Sequence, residues 1–176
     1  MVLNFFEYVN QLVHASVSFH SSASFMFLGV YVKCARVGRW SVWVAIESLG
    51  TNMHLPWMDV GDFNVILSVG ERASGSPTSV HNMEEFKSMF NCGLSIVEFI
   101  GQSFIWTNST IWQRLDRALI NARWMEFYLI NKVFHLVRER SCHSPLFMHC
   151  GSGRQLHSSF RSLNVWCNHP KFWMLW

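Results

Sequence analysis

A chain of 176 residues is long enough for one domain of ordinary size and leaves little room for a second. Half of the residues are apolar and only 14% are charged, which excludes intrinsic disorder, acidic tails and long solvated helices. The 14 Lys and Arg against 11 Asp and Glu leave +3 with His neutral, which permits a polyanionic partner but lacks the basic excess of a dedicated nucleic-acid binder.

The opening MVLNFFEYVNQLV lacks a basic leader and carries Glu7, so it does not read as a secretion signal. Residues 12–19 and 25–33, rich in Val and aromatics, read as consecutive strands around a Ser-rich turn at 20–24. The longest apolar stretch, 25–32, falls far short of the roughly 20 residues of a membrane-spanning helix, so no membrane span is expected. Helical spacing of Trp40, Trp43, Val44 and Leu49 predicts a helix over 39–49, with Gly50 as its C-cap. A buried strand follows at 55–63, then a Gly/Ser/Pro-rich loop at 70–82 and an amphipathic helix at 83–90. Short strands are expected at 95–99, 104–107 and 114–119, a helix at 122–129, and two last strands at 132–138 and 145–149. Strands in pairs with interspersed helices predict an α/β (α+β) layered domain. Five Cys at irregular spacing, without a CxxC, describe no disulfide framework and point to a reducing, intracellular compartment, nucleus or cytoplasm.

Three short segments could carry chemistry. GDFN at 61–64 delivers Asp62 and Asn64 to the end of a buried strand, where strand alternation would aim both at one face. A carboxylate and an amide there can hold a phosphate-bound metal or an attacking water, although Gly, Asp and Asn also suit a plain strand-to-turn junction. RLDR at 114–117 sets Asp116 between two arginines, which also describes a salt-bridged surface carboxylate. SCHSPL at 141–146 sets His143 in a turn before an apolar strand. Two aspartates, an asparagine and a histidine at strand ends are the parts of a phosphodiester hydrolase.

Seven stretches in order carry a resemblance: QLVHASV (11–17), VYVKCARVGRWSVW (30–43), LPWMDVGDFNVILS (55–68), EEFKSMFNCGL (84–94), GQSFIWTN (101–108), QRLDRALINARW (113–124) and SCHSPLF (141–147). They resemble the endonuclease domain of plant-type non-LTR (LINE) retroelements. That domain is a branch of the endonuclease/exonuclease/phosphatase superfamily, which includes the apurinic endonucleases and DNase I. FRSLNVWCNHPKFW (160–173) is similar to the connector that precedes the reverse transcriptase in such elements, so residues 1–150 read as the endonuclease-like domain and 151–176 as connector. The resemblance implies an incomplete DNase I-like sandwich of two mixed β-sheets with helices on the outer faces, acting on DNA with a divalent cation, usually Mg²⁺. It implies that Asp62 aligns or deprotonates the attacking water, and that Asn64 helps fix the phosphate and that water. It further implies that His143 stabilises charge on the scissile phosphate, that Asp116 orients His143, and that Tyr31 lies near the phosphate.

The sequence also departs from the family. The segment bearing the family's metal-site Asn and Glu has no counterpart before Met1, which implies a truncated domain with an unpaired sheet edge and leaves the metal ligands unassigned. Cys142 stands where the family has Asp, Asp59 where it is apolar, Ile96 for Asp and Ile105 for Thr. The expectation is a degenerate endonuclease domain, inactive or very weak. Two other readings stay open: a non-catalytic nucleic-acid binder using Arg114, Arg117, Arg138, Arg140, Arg154 and Arg161, and a zinc module drawn from Cys142, His143, His149, Cys150, His157, Cys167 and His169. Oligomeric state is not legible.

Overall fold

The computed structural model describes residues 2–19 and 22–151. The connector expected beyond 151, with His157, Cys167 and His169, lies outside the described residues. Among the described residues, twelve strands and three α-helices follow in the order β1 (Val2–Val9), β2 (Leu12–Phe19), β3 (Ser22–Tyr31), α1 (Arg36–Thr51), β4 (Trp57–Asp62), β5 (Arg72–Ala73), α2 (Val80–Ser88), β6 (Leu94–Ile96), β7 (Phe99–Ile100), β8 (Trp106–Thr107), β9 (Trp112–Gln113), β10 (Asp116–Asn121), α3 (Ala122–Phe127), β11 (Ile130–His135) and β12 (Leu146–Gly151). Six strands form one mixed sheet, β1-β2-β3-β4-β10-β6, in which only β3 and β4 run parallel. A second mixed sheet, β12-β11-β7, faces it, and a small antiparallel sheet, β5-β9-β8, stands apart.

Each face of the large sheet buries its own core. Trp57 of β4, Leu28 of β3 and Leu119 of β10 pack with Val42, Trp43 and Ile46 of α1 and Phe86 of α2. From the opposite face, Met58, Val60, Ala118 and Ile120 meet Val133, Leu146 and Met148 of the second sheet. Period-two alternation thus sorts β4 and β10 between helices on one side and a sheet on the other. Asn121 joins the layers: its Oδ1 accepts from the backbone N–H groups of Trp57 and Trp124, capping α3 onto β4.

Several sequence expectations are corrected. Residues 2–9, to which the sequence reading gives no strand, form β1, which pairs antiparallel with β2 as an end strand of the large sheet. Gly50 lies inside α1, which ends at Thr51 with Asn52 as its C-cap; a Cβ at Gly50 would sit 2.7 Å from the Cβ of Cys92, so this glycine allows close packing and does not cap the helix. The strand expected at 95–99 is two strands in different sheets, because the chain crosses between the layers at Val97 and Glu98. The strand expected at 114–119 begins at Asp116, since Arg114 and Leu115 bond instead to Glu71 and Phe63. No described helix is long and apolar enough to cross a membrane.

Asp59 is fully buried on the helix-facing side of β4, and neither carboxylate oxygen has a hydrogen-bond partner. Burial pushes its pKa well above the usual carboxylate range; the nearby Trp57 indole eases the charged form without closing a hydrogen bond. A group whose pKa is raised on folding contributes stability below its unfolded pKa and loses that contribution as pH rises through the folded value. Asp59→Val is therefore expected to raise the unfolding free energy at pH 7 by about 1–3 kcal/mol, with the gain shrinking toward pH 4. Urea melts at the two pH values check this, and an equal gain at both would contradict it.

Candidate active site

Gly61 is the start of the site. It sits within β4 at φ +143°, and a Cβ there would lie 2.1 Å from the Val30 carbonyl oxygen, so the GDFN glycine is set by the approach of β3 and not by a turn. β4 ends on the next residue, Asp62, whose register partners are Tyr31 on β3 and Asp116 on β10. Asp62 and Asp116 therefore stand directly opposite on neighbouring strands. Both continue the residue series that faces the second sheet.

Asn64 reaches the site by a different route from the one strand alternation predicts. The strand has already ended, and Asn64 adopts the left-handed conformation, φ +50°, which Asn tolerates better than most residues. Its backbone N–H donates to Asp62 Oδ1 at 2.8 Å and its Nδ2 donates to Asp62 Oδ2 at 2.9 Å and to the Val32 carbonyl at 2.7 Å. The side-chain donors are thus used in holding Asp62. Cys34, which the sequence reading left without a role, donates its thiol to Asn64 Oδ1 at 3.3 Å.

His143 enters from the loop before β12, anchored by an isolated bridge to Trp106 and by its backbone N–H to Ser141 Oγ. Its Nδ1–H donates to Asp116 Oδ2 at 2.8 Å, and its Nε2 lies 3.8 Å from Asp62 Oδ2. With Nδ1 committed to Asp116, Nε2 is the ring nitrogen left for a ligand. Burial, and then the Asp116 charge, push the Asp62 pKa to about 6 against the opposing pull of Asn64, His143 and Arg117. Burial likewise raises Asp116, and the His143 hydrogen bond opposes it. Two opposed carboxylates held in this way mark a site adapted to a positive charge.

Neither arginine of RLDR pairs with Asp116, which overturns the surface salt-bridge reading. Arg117 projects from the opposite side of β10, is fully buried, and donates to both oxygens of Glu71 at 2.8 Å and to the carbonyls of Val65 and Arg114. Arg114 also reaches Glu71, at 3.3 Å. The alternation of charges in RLDR was the available signal for two opposite faces. Tyr31 sits beside Asp62 in register with its side chain 71% exposed, at the rim of the site.

Among the described residues, the group able to hold a metal ion is Asp62, Asp116 and His143, whose ligand atoms lie within 4.8 Å of one another. Two carboxylates and one imidazole nitrogen, with like charges facing each other, fit a divalent cation. Cys142, His149 and Cys150 join no such group, so the zinc reading finds no support among the described residues. Beside the cluster opens a cleft of about 380 Å³ lined by Gly61, Asp116, Ser141, His143 and Ser144.

No family model matches the sequence, and no curated protein matches it. Solved structures do. One is the endonuclease domain of TRAS1, a telomere-specific non-LTR retrotransposon, with a TM-score of 0.64 at 12% identity over 84% of this chain and 68% of that one. Another is an endonuclease/exonuclease/phosphatase family protein from Leptotrichia buccalis, with a TM-score of 0.51 at 10% identity over 79% of this chain and 53% of that one. At such identities the likeness speaks for the backbone, and the chain has the fold these two proteins share, a DNase I-like layered α/β sandwich.

Proposed function

We propose that the chain is a divalent-metal-dependent hydrolase of nucleic-acid phosphodiesters, with DNA the expected substrate, and that it turns over slowly. The observation that carries this reading is the joined set of Asp62, Asp116 and His143 at the open end of the sheet pair. The likeness to a retrotransposon endonuclease domain supports the substrate class.

Asp62 and Asp116 are the groups that would hold the cation, and Mg²⁺ suits their carboxylates. When bound, a divalent ion supplies Lewis-acid neutralisation of charge on the phosphate. Asp62 orients the attacking water and takes up its proton. Asn64 acts as a positioning residue, since its donors fix the Asp62 carboxylate. His143 places Nε2 against the phosphate oxygens, where an N–H or imidazolium favours the charge that grows in the transition state. Asp116 keeps the ring turned that way, as a carboxylate does in a hydrolase triad. Tyr31 stands at the rim, placed to meet the substrate backbone.

Slow turnover follows from the donor set. Asp116 is already engaged with His143, and an exposed Cys142 thiol occupies the position where the resembling endonucleases carry Asp. A thiol does little for Mg²⁺. Nicking of supercoiled plasmid checks the proposal: slow conversion with Mg²⁺, none with EDTA, and a faster rate for Cys142→Asp. Equal conversion with and without chelator, or none by either folded protein, would overturn it.

A further inference from the structure

A second cavity, of about 290 Å³, is lined by Asn64, whose amide holds Asp62 of the metal-capable cluster, and by Arg39, Arg72, Thr78, Asn82 and Trp106. No carboxylate lines it. Arg39 is only 6% exposed, and its guanidinium donates to the carbonyls of Lys33 and Cys34 but forms no ion pair among the described residues. Glu85, whose charge reaches it, is paired with Arg36. A buried cation without a counter-charge is costly, and an anion in the cavity would relieve that cost.

Two further features face the same way. The cavity lies at the N-terminus of α2, where Ser79 caps nothing with its side chain, so the positive end of a nine-residue helix is open. Thr78 Oγ is buried there without a partner. Trp106 adds an aromatic wall, and its backbone bridges to His143.

Resting on the proposed hydrolase reading, we infer that this cavity is a second phosphate subsite, which holds a phosphodiester group of the nucleic-acid strand next to the one being cut. Asn64, which lines this cavity and holds the Asp62 carboxylate, joins it to the cluster, so the two phosphates would lie side by side. Arg39 and Arg72 supply the charge, while Thr78 supplies a neutral hydroxyl donor and the amino end of α2 a favourable field. Trp106 offers a face to the intervening sugar or base.

The test is binding of a fluorescent oligonucleotide duplex by the full chain in EDTA, where no cutting occurs, at several salt concentrations. Arg72→Gln and Thr78→Val are the informative variants, since Arg39 also ties down a loop and its replacement can disturb folding. Arg72→Gln is expected to weaken binding about 5- to 10-fold and to reduce the salt slope by about one. Thr78→Val should weaken binding less and leave the slope unchanged, and Arg123→Gln, on the exposed face of α3, should change neither. Inorganic phosphate alone is titrated in parallel by thermal shift. Protection by phosphate that is lost in Arg72→Gln, combined with undiminished oligonucleotide binding by that variant, would make this a free-phosphate site and overturn the strand assignment. Binding equal in wild type and both variants would overturn the subsite and leave the hydrolase reading standing. Failure of the wild type to bind any duplex would strike the hydrolase reading itself.

Discussion

Replacing His143 with Ala is expected to lower the Mg²⁺-dependent nicking rate about 10²- to 10³-fold while leaving the fold intact. The side chain is partly exposed in the loop before β12, so its loss creates no core cavity. What disappears is the donor at Nε2, together with the partner that Asp116 holds. Asp116→Asn should cost less than His143→Ala, because the ring stays in place but loses the carboxylate that fixes its tautomer. Combining the two should cost less than the sum of the single losses, since Asp116 acts in part through the ring and in part on the cation. Single-turnover nicking rates, with circular dichroism as the folding control, decide this; fully additive losses would mean that Asp116 works independently of His143.

Arg117→Ala should destabilise the protein by about 3–5 kcal/mol, the largest loss expected from a single side chain. Its guanidinium is wholly buried over the Phe86 ring and is the principal partner of the Glu71 carboxylate. Burial alone would raise the Glu71 pKa, but the Arg117 hydrogen bonds and charge, aided by Leu67 N–H and Arg114, hold it below the usual value. A depressed pKa contributes stability above the unfolded value, and that contribution is lost as pH falls through the folded one. Wild-type stability should therefore fall on acidification through that window, and Arg117→Ala should show a weaker dependence there. Removing both charges in Arg117→Met with Glu71→Leu should recover part of the loss, because the buried carboxylate is no longer left alone, while Arg114 gives up its partner as well. The pair also has a functional consequence. Arg117 holds the Val65 carbonyl just after Asn64, so it ties the loop that shapes the site to the strand that carries Asp116. Urea melts of the wild type and the two variants test the argument, and a double variant as unstable as Arg117→Ala would refute it.

Much of this was legible in the residues, for reasons that can be named. Asp62, Asn64, Asp116 and His143 were identified by type and by their place at strand ends, and the structure brings all four together. The way they meet was less legible. Alternation predicted that Asn64 would share a face with Asp62, whereas a left-handed residue folds the amide back onto it, and a local turn of this kind leaves no periodic trace. β1 was missed although VLNFFEYV is rich in strand-forming residues, because the opening was weighed only as a possible leader. The crossing from β6 to β7 at Val97 and Glu98 was invisible because an apolar run reads alike whether it stays in one sheet or changes sheets. The Arg117 and Glu71 pair joins residues 46 apart, and no local pattern links them. Asp59 was flagged as misplaced from the sequence, and it is buried without a hydrogen-bond partner.

The central claim is that the two opposed carboxylates and the histidine hydrolyse phosphodiesters with a divalent ion. Nicking of supercoiled plasmid by wild type and by Asp62→Asn, purified identically and assayed with Mg²⁺, tests it most directly. The site predicts slow nicking by wild type and at least a 100-fold lower rate for the variant, on the order expected when a preorganised charge is lost from a hydrolytic centre. It also predicts that Mg²⁺ raises the melting temperature of the wild type and not of Asp62→Asn. Equal nicking by the two folded proteins would place the activity outside this cluster and contradict the account.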